Sequence, residues 1–80
     1  MKKIDKQIIT LYKIGDDSEQ RQYSAVSGDC QGIATVKKDT LDYHYDGDDL
    51  GQFNHFVKET MLKSIRLNKQ LPDKFSYGFG

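Results

Sequence analysis

The sequence predicts an α+β domain in which a four-stranded antiparallel meander sheet carries one C-terminal amphipathic helix packed on one face. Three observations predict it. Short runs with period-two patterning occupy the chain up to Asp46, separated by the turn signals GDDS, Gly28-Asp29 and Lys38-Asp39. From Asp49 the apolar period changes from two to 3.6. With 80 residues there is material for one core only, because so short a chain buries about 60 to 70 per cent of its unfolded surface.

The first run, IDKQIITLYKI, fits helical spacing at Ile4, Ile8, Leu11 and Tyr12, and strand alternation at Ile8, Thr10, Tyr12 and Ile14. Five of its eleven residues are Ile or Thr, whose branched β-carbons suit a pleated sheet, so a strand is expected over about residues 6–14. QRQYSAVS, CQGIATVK and TLDYHYD follow as three more strands joined by hairpin-length connections. The first strand carries Ile8, Tyr12 and Ile14 on one face and Ile9 and Leu11 on the other. One helix covers one face, so the second is expected to meet the tail, another subunit or solvent.

In the helix, Leu50, Phe53, Phe56, Val57, Met61, Ile65 and Leu67 fall within about half of the helical circle, and polar residues take the rest. It is expected to begin near Asp49, with Asp48 or Asp49 placed to cap it and Asp49 with Gln52 as an approximate capping box, and to reach Lys69 or Gln70, since Pro72 cannot continue it. Leu62 falls in the middle of the polar face. Residues 1–71 are thus the domain, and residues 72–80 an aromatic tail. In an extended chain Phe75, Tyr77 and Phe79 share one side of that tail, which predicts packing on the sheet or on a partner.

DYHYDGDD, residues 42–49, resembles a ligand cluster but reads better as a strand running into a helix cap. Alternation puts Leu41, Tyr43 and Tyr45 on the helix side and Asp42, His44 and Asp46 on the other. A calcium loop requires a carboxylate at its twelfth position, where this chain has Phe53. His44 and His55 are expected on opposite outer surfaces, so no metal site is expected. Cys30 is the sole cysteine, read as an ordinary thiol in a reducing cytosol. No nucleophile elbow or phosphate loop is present, and the reading is of a chain that is no enzyme and needs no cofactor.

Charge balances at 12 basic and 12 acidic residues but is segregated along the chain. Residues 1–14 hold four lysines and one acid, residues 15–49 three bases and nine acids, and residues 50–80 five bases and two acids. No apolar stretch nears the roughly 18 residues of a membrane span, so the sequence reads as soluble and cytoplasmic, without a membrane partner. The expected function is a small protein-interaction module, homodimeric, acting by surface recognition as regulator or inhibitor of a larger partner. Analogy with compact accessory proteins of mobile elements suggests a bacterial or phage setting. Its expected contact residues are Phe75, Tyr77, Phe79, Asp42, Asp46, Asp48 and Leu62. The alternative is single-stranded nucleic-acid binding, with Tyr12, Tyr23, Tyr43 and Tyr45 stacking bases and Lys37, Lys38 and the terminal lysines holding phosphates.

Overall fold

A computed structural model describes residues 3–78. The patterned runs form β1 (Ile8–Asp16), β2 (Gln20–Ser27), β3 (Cys30–Lys37) and β4 (Tyr43–Gly47), followed by α1 (Phe53–Arg66) and β5 (Lys74–Gly78). The sheet order is β4-β3-β2-β1-β5, and each neighbouring pair is antiparallel.

The sheet therefore has five strands, one more than the sequence predicts. The tail does not lie on the open sheet face; it extends the sheet by pairing with β1, Leu11 opposite Phe75 and Ile9 opposite Tyr77. The period-two aromatics of the tail were its strand signal. Three contacts hold it. The Tyr23 hydroxyl donates to the Pro72 carbonyl at 2.7 Å, Lys13 N–H donates to the Asp73 carbonyl at 2.7 Å, and the Lys13 ammonium meets the Asp73 carboxylate at 3.2 Å. Phase then follows from the pleat: Phe75 meets the Tyr23 ring edge-on and Tyr77 stacks on Phe56 at 4.1 Å between centroids. Phe79 lies outside the described residues.

The helix-facing side of the sheet supplies Ile9, Leu11, Tyr23, Ala25, Cys30, Ala34 and Val36 to a core closed by Leu50, Phe53, Val57, Met61 and Leu62. Two glycines let the backbone approach closely. Gly28, at φ +60°, makes the two-residue β2–β3 turn, and a β-carbon there would strike the Lys3 carbonyl and Asp5 amide. Gly32 lies beneath the Tyr45 ring, which occupies the space of a β-carbon.

The helix is shorter at both ends than the sequence predicts. Asp49 does not cap it through Gln52; the N-cap is Gln52 itself, with no side-chain cap bond. Asp49 instead accepts from Gly51 N–H at 2.8 Å and from the Asn54 amide at 2.7 Å, bracing the approach to the helix. Gly51 at φ +59° holds the chain off the helical path for one further turn. At the other end Asn68 adopts φ +52°, Lys69 N–H donates to Ser64 O and Asn68 N–H to Ile65 O. Those two bonds make a Schellman stop, placed before Pro72 can act.

Leu62 also departs from its predicted place: it is 8% exposed and belongs to the core. It follows Asn54 and Lys58 at four-residue steps, and those two face Tyr43 and Tyr45 across a shared groove. Leu41, Tyr43 and Tyr45 pack against the core that Leu62 joins, so the covered arc is wider than the half circle assumed from sequence.

One buried polar cluster ties the helix end to the sheet. Between Lys13 and Gly15 the β1–β2 register slips, leaving Ile14 as an extra residue. Without that bulge Asp16 would share the outer face with Thr10 and Tyr12; with it, Asp16 pairs Arg21 on the helix side. Arg21 is 5% exposed, and its guanidinium donates to Asp16, to Ser64 Oγ at 2.7 Å and to the Lys69 carbonyl at 3.0 Å. Lys38 Nζ lies 2.6 Å from Asp16 Oδ1 and adds a second cation to the same carboxylate. Burial raises the Asp16 pKa, but Lys38 and Arg21 outweigh it and hold the carboxyl below its ordinary value.

Candidate interaction surface

The uncovered face of the sheet is built by register. Pairing of Ser24 with Ile33 and Tyr12, of Ile33 with Asp46, and of Tyr12 with Lys74 gives one row across all five strands: Asp46, Ile33, Ser24, Tyr12, Lys74. The adjacent row runs Gln31, Val26, Thr10, Ser76. Tyr12 and Ile33 are each 41% exposed, and Ile8 and Ile14 are more so. This is the second apolar face of β1 that the sequence reveals, and no described segment of the chain covers it. Lys74 holds its ammonium 5.5 Å from the Tyr12 ring centroid, so the basic end of the row lies over the same face. Thr10 and Ser76 hydroxyls share a 3.0 Å hydrogen bond beside it.

DYHYDGDD does run into the helix approach as a strand, although its acids divide differently from the sequence reading. Asp42, His44 and Asp46 are exposed, with His44 and Asp46 on the outer face of β4 opposite Thr35 and Ile33. Asp48 clamps the end of β3: its N–H donates to the Gln31 carbonyl and its carboxylate accepts from Gln31 N–H at 3.1 Å. The Tyr45 hydroxyl donates to the Asp48 carbonyl. Asp48 is thus a structural residue, whereas Asp42 and Asp46 face solvent.

Of the expected contact residues, Asp42, Asp46 and Tyr77 are exposed, the two acids by β4 and Tyr77 at the opposite edge of the sheet. Phe75 and Tyr77 turn toward the helix side and spend ring area on Tyr23 and Phe56. Leu62 is in the core. Sequence reasoning missed Ile33 and Lys74 as surface residues; cross-strand parity would have found Ile33, since it alternates with buried Ala34.

The four tyrosines of the nucleic-acid reading do not share a face. Tyr12 alone is on the open side, Tyr23 is fully buried, and Tyr43 and Tyr45 face the helix. Burial pushes the Tyr43 hydroxyl up to about 12; burial, followed by the Asp48 charge, does the same for Tyr45. Beside those rings a groove of about 510 Å³ is lined by Asp49, Asn54, His55 and Lys58. His44 stands on the opposite side of the sheet from that groove, and Cys30 is buried in the core. Among the described residues no three His, Cys, Asp or Glu side chains gather as a metal set, and no helix is long and apolar enough to cross a membrane.

Comparison with known proteins gives no matching family model, no matching curated protein and no matching solved structure.

Proposed function

We propose that this chain is a small non-catalytic protein-interaction module that acts by occupying a protein surface, with the uncovered sheet face as its association surface. One observation carries the reading: the chain builds a five-stranded sheet, covers one side with its helix, and leaves Tyr12, Ile33, Ile8 and Ile14 exposed on the other. Apolar residues grouped on an open antiparallel face, rimmed by charge, are the usual makings of a protein contact. The use of the polar groups supports it too. Asp16 is ion-paired, Asp17 caps a turn through Glu19 and Gln20, Asp49 braces the helix approach, and Ser27, Ser64, Tyr23 and Tyr45 hydroxyls serve backbone carbonyls.

On this reading the chain is a regulator or inhibitor of a larger bacterial or phage protein, working in a reducing cytosol where Cys30 stays a buried thiol. The test is affinity capture from the native host with the wild type and with a Tyr12→Ser, Ile33→Ser variant. Both changes lie on the outer face, so far-ultraviolet circular dichroism is expected to be unaltered while specific capture is lost. Equal capture by the two proteins would refute the assignment of this face.

A further inference from the structure

Resting on the reading that the uncovered face is an association surface, we propose that its occupant is a second copy of this chain, packed face to face about a two-fold axis parallel to the strands. The argument is the order of residues across the central row. Asp46 stands on one edge strand, Lys74 on the other, Ile33 and Tyr12 between them, and Ser24 in the middle on β2.

A two-fold axis lying along β2 in the plane between two such sheets exchanges left and right while keeping position along the strands. It sets Asp46 of one copy against Lys74 of the other, Ile33 against Tyr12, and Ser24 against Ser24, twice over for each unlike pair. The small Ser24 permits close approach at the centre. The other in-plane axis, perpendicular to the strands, would set β4 against β4 and crowd the acids Asp42 and Asp46 together. Charge thus selects the axis along the strands.

Dimensions agree. Packed sheets stand about 10 Å apart, a gap that an aspartate and a lysine side chain together bridge. The roughly 30° crossing of aligned sheets moves the rim by about one strand spacing, within the sweep of a four-carbon stem. Strands of 9, 8, 8, 5 and 5 residues, at about 3.3 Å per residue and about 4.8 Å between strands, give a face on the order of 550 Å² in projection. Accessible area exceeds projection, and a standard interface uses about 800 Å² per partner, so the face suffices for a reversible dimer. The helices then point outward on both sides, and a larger partner that takes this face displaces the second copy from it.

Sedimentation equilibrium of the full chain from about 1 µM to about 1 mM, the range of ordinary reversible contacts, tests the proposal. The wild type is expected to move from 9.2 kDa toward twice that mass. Asp46→Lys alone and Lys74→Asp alone are each expected to weaken the dimer about tenfold or more, since two attractive pairs become repulsive. The double variant Asp46→Lys, Lys74→Asp restores it. An equimolar mixture of the two single variants forms a one-to-one heterodimer, because each then supplies the charge the other lacks. A wild type that stays monomeric throughout overturns the second-copy proposal, as does a dimer indifferent to all charge variants. The association reading is judged separately, by whether Tyr12→Ser, Ile33→Ser still captures a partner.

Discussion

Neutralising Asp16 is the sharpest test of what holds the helix to the sheet. In Asp16→Asn, Arg21 keeps its bonds to Ser64 and Lys69 but loses its counter-charge, at 5% exposure. Breaking a fully buried pair costs about 3 to 5 kcal/mol. Here Lys38 is more than a quarter exposed and Arg21 retains two acceptors, so about 2 to 3 kcal/mol is expected. For a domain of this size that corresponds to a melting temperature lower by about 10 to 20 °C. It is from about two-fifths to the whole of the roughly 3 to 5 kcal/mol that so small a core supplies. The Asp16 carboxyl titrates lower in the folded chain than in the unfolded one, so its contribution is complete above the unfolded value of about 3.9. It is lost as pH falls through the lower folded value. The gap between wild type and variant is therefore wide at neutral pH and closes on strong acidification. Urea unfolding followed by tyrosine fluorescence and circular dichroism, at neutral pH and at about pH 2 to 3, measures both quantities. A neutral-pH gap below about 0.5 kcal/mol, or one that persists undiminished in acid, would refute the ion-pair account.

Gly32→Ala drives a methyl group into the Tyr45 ring. It is expected to cost about 1 to 3 kcal/mol and to return the Tyr45 titration from about 12 toward its ordinary value, read by ultraviolet titration. Phe75→Ala removes the ring that meets Tyr23 and loosens β5, lowering stability by about 2 kcal/mol in denaturant melts and raising amide exchange in the tail and β1. Asn68→Gly, at φ +52°, is expected to stabilise by a few tenths of a kcal/mol up to about 1, whereas Asn68→Val destabilises; thermal melts distinguish the pair.

Where one local rule governs, the sequence is sufficient. QRQYSAVS and CQGIATVK become β2 and β3 with the predicted bounds, because a glycine turn fixes their register and alternation fixes their faces. Where two rules compete, it is not. The helix stop illustrates this: Pro72 is a strong breaker, but the weaker αL preference of Asn68 acts first. The bulge at Ile14 is another case, since IGDD shows a turn but not the extra residue that carries Asp16 inward. For the surface, alternation identifies Tyr12 and Ile8, but Lys74 joins them only through the pairing of β5 with β1, which is a tertiary choice. Leu62 departs from its wheel position for the same reason, because a helical wheel does not see the residues of other elements that join the core.

The segregation of charge along the chain acquires its meaning through topology. The acidic middle ends at β4, one edge of the sheet, and the basic C-terminal segment returns to the opposite edge as β5. Any other insertion point for the tail would have mixed the signs. Pairing with β1 separates them by the full width of the sheet, with Ile33 and Tyr12 between. Much of the acid in that middle segment is absorbed internally, by Arg21 and Lys38 on Asp16, by turn amides on Asp17 and Asp49 and by a β3 amide on Asp48. Asp42, just before β4, and Asp46, on it, are left exposed. A sheet with an acid at one rim and a base at the other is repelled by its own image in one orientation and matched by it in the other. The polarity of the face therefore works on orientation, while the apolar centre supplies the area.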